Sequence, residues 1–153
     1  MTNIKLEHIK KLREKTKAGV MDCRQALEEC GGDFQKACVW LRKKGIASAD
    51  KRAGRETQAG MVEAYVHADS RIASVVELAC ETDFVARNEE FKKLAHELAL
   101  QVAAMNPENV EELLKQPWIR DEKILIDDLL KETAGKLGEN IVVKRIFRCE
   151  LGK

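Results

Sequence analysis

The side chains that could carry out acid–base or nucleophilic chemistry are few in this sequence, and they lie far apart along it. The three histidines, His8, His67 and His96, fall on three different predicted elements among charged or polar neighbours. No H-E-x-x-H, G-x-S-x-G or Walker-type G-x-x-x-x-G-K-S/T motif occurs. We therefore expect no catalytic residues, with one alternative left open. In that alternative His67, Glu81 and Asp83 converge in a concave pocket and form a small hydrolase site.

The cysteines could in principle bind a metal ion or form disulfides, but their spacing favours neither. They are Cys23, Cys30, Cys38, Cys80 and Cys149, and no pair shows C-x-x-C spacing. An odd number without such a pair fits reduced thiols in a cytosol. The first three fall on the apolar stripes of two predicted helices, where thiols pack as small apolar side chains. We expect no metal site and no cofactor.

The charge balance argues against electrostatic capture of nucleic acid or of an anionic membrane. The 153 residues include 27 basic and 26 acidic side chains, for a formal net charge of +1. A basic run within residues 43–56 could touch RNA, but acidic residues interrupt it and no aromatic side chains are interleaved for base stacking. No apolar run approaches the roughly 18 residues of a membrane span, and residues 1–10 lack a signal-peptide core. The sequence predicts a cytoplasmic protein with no membrane partner and no direct nucleic-acid partner.

The first 45 residues carry apolar side chains at helical spacing, which predicts three short helices. A Gly-Gly pair ends the second helix, Asp33 is placed to cap the third, and Gly45 stops it. Helices this short cannot each bury a face alone, so we expect them to pack on one another. Residues 46–59 are rich in Ala, Gly, Lys, Arg and Glu, which predicts a solvated linker that is partly helical.

From residue 60 the period of the apolar residues changes to two, which is typical of strands. The predicted elements are strands Met61–His67 and Ile72–Glu81, a helix from about Asn88, a helix over Asp121–Leu137 and a strand over Ile141–Leu151. On the last strand the odd positions Ile141, Val143, Phe147 and Leu151 are apolar and the even positions Lys144, Arg148 and Glu150 are polar, which predicts one buried face. The fold class is therefore α+β: a three-helix module over residues 1–45, then a small antiparallel sheet packed with helices over residues 60–153.

The segment Glu81–Asn88 joins a predicted strand to a predicted helix and allows two interpretations. In the first it is a helix entry, capped by Thr82 or Asp83, with Phe84 stapled to the core. In the second interpretation a rigid junction holds the apolar Phe84 side chain out into solvent, and the polar Asp83 beside it orients the contact. An aromatic anchor on a stiff support is typical of a binding hot spot.

Three stretches of the sequence resemble signatures of the elongation factor Ts family, and they occur in the same order. The first is Leu12–Cys23, with Ala26 and Leu27 after it; the second is Cys80–Asn88, which reads CETDFVARN; the third is Gly138–Arg145, which reads GENIVVKR. The resemblance implies a ubiquitin-associated-like three-helix module over residues 1–45, followed by an α+β core. It also implies a function, guanine-nucleotide exchange on elongation factor Tu.

The resemblance further implies which residues contact that GTPase. The motif that enters the GTPase domain corresponds to Thr82, Asp83, Phe84 and Val85. The aromatic residue of this motif wedges between two helices of the partner and disturbs its magnesium site. A second docking surface on the N-terminal module corresponds to Lys17, Ala18, Gly19, Val20 and Met21. The alternative function is an adaptor whose three-helix module binds ubiquitin-like or other small domains.

Longer members of that family carry a second core half, so the resemblance implies that this chain is a short form with a single half. An uncovered strand edge tends to pair with another chain. We therefore predict a homodimer through the last strand, where Phe147, Cys149 and Leu151 are apolar near the end of the sequence. The alternative is that these three side chains face the helices of their own core.

Overall fold

The computed structural model describes residues 4–153 and confirms the α+β class. Over that range the chain forms seven helices and five strands. In chain order they are α1 Leu6–Thr16, α2 Val20–Glu29, α3 Phe34–Arg52, β1 Ala59–Val66, β2 Ile72–Cys80, α4 Asp83–Ala86, α5 Glu89–Met105, α6 Val110–Lys115, β3 Pro117–Trp118, β4 Asp121–Leu125, α7 Ile126–Leu137 and β5 Val142–Glu150.

The first three helices pack around a small apolar cluster of their own. Its buried residues are Ile9, Leu12, Cys23, Ala26, Leu27, Ala37 and Leu41. The Asp33 carboxylate caps α3 by accepting a hydrogen bond from the Lys36 amide at 3.0 Å, as expected for an N-cap aspartate. The likeness of this module to ubiquitin-associated domains stays a prediction, and its residues 1–3 lie outside the described residues.

Helix α3 does not end at Gly45, as predicted, but continues to Arg52, so the first half of residues 46–59 is helical. Gly45 lies mid-helix, where α3 crosses α7 beside Gly135. Past the crossing, Ala49 is buried in the core of the second part of the chain. Two ion pairs, Arg42 with Glu132 and Asp50 with Lys131, flank the crossing. Packing against α7 therefore outweighs the poor helix propensity of glycine.

The sheet has the strand order β1-β2-β5, with both neighbours antiparallel to β2. One face, which includes Val76 and Leu78 of β2, packs against α5 in the main core. Helix α7 joins the same core through Ile126, Leu130 and Ala134. The strands predicted at residues 61–67 and 72–81 are therefore confirmed to within two residues at each end.

Strand β5 contains a bulge, and this corrects the prediction that its odd positions share one face. Arg145 pairs with Glu77 and Val143 with Leu78, so Lys144 is the extra residue. The insertion reverses the alternation beyond it. Val143 and the half-buried Ile146 pack with the core, whereas Phe147 lies on the opposite face and is 64% exposed. The alternative that Phe147, Cys149 and Leu151 face their own helices is therefore wrong.

The helix predicted over Asp121–Leu137 begins only at Ile126, because residues 121–125 form β4 in a two-stranded ribbon with β3. Polar groups of α5 hold this ribbon. The amide of buried Gln101 accepts from the Ile119 N–H at 3.0 Å and donates to the Pro117 carbonyl at 3.0 Å. These contacts are remote in sequence, so the local pattern of apolar residues did not reveal them.

Candidate partner-binding surface

The candidate site is the turn that joins β2 to α5 through the one-turn helix α4. Thr82 is extended and caps α4, with its hydroxyl accepting from the Val85 N–H at 3.5 Å. The Arg87 N–H donates to the Asp83 carbonyl at 3.1 Å, and the Asn88 side chain then caps α5. Two capped helices separated by only two residues make a short and stiff junction.

Phe84 is 85% exposed at this junction, which is the largest exposed fraction among the large apolar side chains that the structure describes. Val85, one residue further on, is half-buried and packs against the main core. Thr82 and Asp83, the two residues before Phe84, are also exposed. The interpretation in which Phe84 staples a helix entry to the core is therefore wrong, and the projecting aromatic side chain is the arrangement found.

Polar contacts from distant parts of the chain anchor the residues just before Phe84. The Glu139 carboxylate accepts hydrogen bonds from the N–H groups of Glu81 and Thr82, both at 3.0 Å. The Glu81 carboxylate in turn accepts from the Asn140 N–H at 2.7 Å. Glu139 and Asn140 were not predicted as site residues, although both lie inside the GENIVVKR stretch that carried the resemblance.

The thiol of Cys80 lies beneath the same turn and is fully buried. It donates to the Thr82 carbonyl at 3.2 Å. Burial, with a smaller contribution from the negative charge of Glu139, raises the pKa of Cys80 to about 11. The group is therefore a protonated thiol at neutral pH and packs as part of the fold, because only a thiolate is a competent nucleophile.

The second predicted docking segment, residues 17–21, comprises the turn between α1 and α2 and the first two residues of α2. Lys17 adopts a left-handed conformation with φ of 59° that ends α1. Lys17, Gly19, Val20 and Met21 are exposed, with Met21 71% exposed, whereas Ala18 packs against the small N-terminal cluster. The segment thus exposes the positive charge of Lys17 and the apolar side chains of Val20 and Met21.

The three groups of the hydrolase alternative do not converge. His67 follows β1 at the hairpin end of the sheet, where its ring is 3.1 Å from the Tyr65 hydroxyl. Glu81 follows β2 at the other end, and the nine residues of that strand separate the two by roughly 30 Å at about 3.4 Å per residue. Within residues 4–153, no group of three or more His, Cys, Asp and Glu side chains is placed to hold a metal ion.

A second exposed apolar surface lies on the sheet face that points away from α5, and we call it the outer sheet face. Its large side chains are Val62 and Val66 on β1, and Phe147 on β5, each 61–65% exposed. The strand register, which pairs Val75 of β2 with Phe147 of β5, places these side chains in neighbouring rows on the same face of the sheet. Phe147 was predicted as a contact of a dimer through the last strand, and the two valines were not predicted as contacts.

Together these features describe an α+β fold in which Phe84 projects from a turn held by hydrogen bonds. None of the helices in the described range, residues 4–153, is both long and apolar enough to span a membrane. The family model described as elongation factor TS matches residues 81–153. Relatives named elongation factor Ts are 40–42% identical over essentially the whole chain, so the chain belongs to the elongation factor Ts family, and these relatives support a role as a translation elongation factor.

Individual relatives match essentially the whole chain. Elongation factor Ts of Rippkaea orientalis is 40% identical over 199 aligned positions that cover 100% of this chain and 80% of the relative. That of Oleidesulfovibrio alaskensis is 42% identical, covering 99% and 100%. That of Nitratidesulfovibrio vulgaris is 41% identical, covering 97% of each. Because 199 positions align with only 153 residues, this chain is shorter than the matched region of its relatives.

Proposed function

We propose that this protein binds elongation factor Tu in its GDP-bound form and promotes the exchange of GDP for GTP. The observation that carries the proposal is Phe84, a large apolar side chain that is 85% exposed on an anchored turn. In this proposal Phe84 and Asp83 enter the GTPase domain and disturb its magnesium and nucleotide site. The exchange takes place in the cytoplasm and needs neither a membrane nor nucleic acid.

Thermodynamic linkage explains how such a contact acts without making or breaking a covalent bond. A partner that binds the nucleotide-free GTPase more tightly than the loaded GTPase must weaken nucleotide binding by the same factor. The Phe84 side chain that enters the partner therefore needs a projecting shape and a stiff support, and both are features of the turn. Stiffness matters because ordering a mobile side chain at an interface costs roughly 0.5–1.5 kcal/mol of binding free energy.

The direct test is the release of a fluorescent GDP analogue from elongation factor Tu of the same organism, chased with excess GTP. We expect the release rate to rise with the concentration of this protein and then to saturate. Heat-denatured protein at the same concentration is the control. A release rate that stays at the spontaneous value over the whole concentration range would refute the proposal.

Asp83→Asn is expected to weaken exchange severalfold while changing the free energy of unfolding by less than about 0.5 kcal/mol. The structure assigns the cap of α4 to Thr82, and in residues 4–153 the Asp83 side chain makes no hydrogen bond. Its charge is thus available to the partner. Exchange kinetics and urea unfolding on the same preparation separate the two effects. Normal exchange with lowered stability would show that Asp83 has a structural role.

The N-terminal module supplies the second proposed contact, through Lys17–Met21. Helix α3 runs from this module into the main core, so the module and the turn at Phe84 belong to one connected framework. A framework of this kind can present two contacts to one partner at a fixed spacing. Capture experiments with the purified protein distinguish the adaptor alternative, since recovery of ubiquitin-like domains in place of elongation factor Tu would favour it.

We further propose that a second copy of this chain covers the outer sheet face. Exposed apolar patches of this kind mark interaction sites in soluble proteins. The opposed charges of Glu77 and Arg145 pair with each other within this face, leaving a largely apolar surface around Val62, Val66 and Phe147. A two-fold dimer would place the same patch on both copies and bury it twice.

The Phe147→Glu variant is expected to be a monomer of 17.3 kDa in sedimentation velocity, whereas the unchanged protein sediments at twice that mass. The exposed Cys149 thiol on the same face reports independently, because alkylation should be slower in the dimer. Leu6→Glu, which alters a side chain on α1 that is also 64% exposed, is the matched control and should stay dimeric. A monomeric unchanged protein at micromolar concentration would exclude this dimer.

A further inference from the structure

The Glu139 carboxylate reaches from the end of α7 to the residues that lead into α4. Gly138 ends α7 in the left-handed conformation, with φ of 74°, and Glu139 follows it. One carboxylate oxygen accepts from the N–H groups of both Glu81 and Thr82 at 3.0 Å, and the other accepts from the Thr82 hydroxyl at 2.5 Å. Three donors on two consecutive residues thus bond to a single charged side chain.

A second set of contacts, from Glu81 and Asn140, links the same residues to the segment at the end of α3. The Glu81 carboxylate accepts from the Asn140 N–H at 2.7 Å and lies 3.6 Å from the Arg55 guanidinium. The Asn140 side chain is 6% exposed and donates to the carbonyls of Ala53 and Arg55 at 3.3 and 2.8 Å. The segments around residues 53–55, 81–82 and 139–140 therefore form one hydrogen-bonded unit.

Phe84 cannot fix its own direction, because at 85% exposed it has few packing contacts. Its direction depends on the backbone of the turn, which starts at Thr82. The Thr82 hydroxyl bonds to Glu139 and also caps α4 by accepting from the Val85 N–H. Glu139 therefore fixes the Thr82 hydroxyl, and that hydroxyl caps the single turn of α4. Phe84 lies on this turn.

We propose that Glu139 is a positioning residue for nucleotide exchange. It orders the turn so that the Phe84 side chain already has its binding orientation before the GTPase is bound. The proposal rests on the exchange function proposed above. It assigns Glu139 no contact with the partner and predicts that its hydrogen bonds, not its charge, are what matter. Loss of the acceptor would leave three donors on two consecutive residues without their partner, so its removal should have a measurable effect.

Two substitutions separate hydrogen bonding from charge. Glu139→Ala removes the acceptors and is expected to slow exchange about tenfold at subsaturating concentration. Glu139→Gln keeps an oxygen for the two N–H groups and offers an N–H to the Thr82 hydroxyl, so exchange should stay within about threefold of normal. An equal loss in both variants would overturn the proposal, because it would assign the effect to the charge of Glu139.

A double-substitution cycle with Phe84 distinguishes positioning from a general loss of stability. If Glu139 acts through Phe84, adding Glu139→Ala to the Phe84→Ala variant should change exchange by less than about twofold. A further tenfold loss in the double variant would refute the proposal. Glu97→Ala is the matched control: it removes a carboxylate bonded to Trp118 and Arg120, on other elements, and should lower stability without changing exchange.

Hydrogen–deuterium exchange of the free protein tests the positioning role of Glu139 separately from the nucleotide-exchange function. Amide hydrogen–deuterium exchange of the peptide that contains residues 81–86 should be faster in Glu139→Ala and close to normal in Glu139→Gln. Unchanged protection in Glu139→Ala would overturn the positioning role even if the protein promotes nucleotide exchange. Loss of protection in a protein that does not promote nucleotide exchange would refute the proposed function and leave the ordering role of Glu139 intact.

Discussion

Replacing Phe84 with alanine is expected to slow nucleotide exchange about thirtyfold while leaving the fold and its stability nearly unchanged. A hot-spot aromatic side chain contributes about 2 kcal/mol or more to an interface, and 1.4 kcal/mol corresponds to a factor of ten. Because Phe84 is 85% exposed, truncation removes little buried apolar area from the folded protein. The free energy of unfolding should therefore change by no more than about 0.5 kcal/mol.

The measurement is the rate of fluorescent GDP release from elongation factor Tu over a range of concentrations of the variant, with urea unfolding on the same preparation. Leu6→Ala is a suitable control, because Leu6 is a large apolar side chain that is 64% exposed on α1, in the N-terminal module. Release at the normal rate with the Phe84 variant would refute the wedge. Unfolding of the variant would mean instead that Phe84 supports the core.

Gly135→Ala is expected to lower the free energy of unfolding by about 1–3 kcal/mol, the usual range for overpacking a core. A Cβ atom at residue 135 would lie 2.5 Å from the carbonyl oxygen of Gly45 and 2.6 Å from its Cα atom. Alanine is favoured over glycine within a helix by about 1 kcal/mol. The clash should outweigh that gain, because its neighbours are backbone atoms of α3 that cannot rotate away.

The same helix crossing provides the control for this prediction. A Cβ atom at Gly45 would meet the Cα atom of Gly135 at 3.9 Å, which is ordinary van der Waals contact. Gly45→Ala should therefore be neutral, or stabilising by up to about 1 kcal/mol from helix propensity. Urea unfolding of both variants decides the matter. Equal effects of the two substitutions would show that the closeness of α3 and α7 does not limit stability.

Much of the fold follows from the sequence because the elements concerned are specified by neighbours along the chain. The first two helices, the start of α3, the β1–β2 hairpin and α5 each carry an apolar period or a capping residue that is read within a few positions. The candidate site was found for a different reason. The CETDFVARN stretch resembles a family motif, and residues Thr82–Val85 could be named from that likeness before their exposure was known.

The remaining features depend on contacts between residues that are far apart in the sequence. Gly45 stays helical because α7 packs against it, and residues 121–125 form a strand because α5 holds the ribbon that contains them. The bulge at Lys144 moves Phe147 to the outer sheet face, which no local pattern indicates. Whether Phe84 is buried or exposed was likewise undecided in the sequence, since a helix staple and a projecting anchor use the same residues. The tertiary structure decided it, because Val85 faces the core and Glu139 holds the start of the turn, so that the backbone directs Phe84 outward.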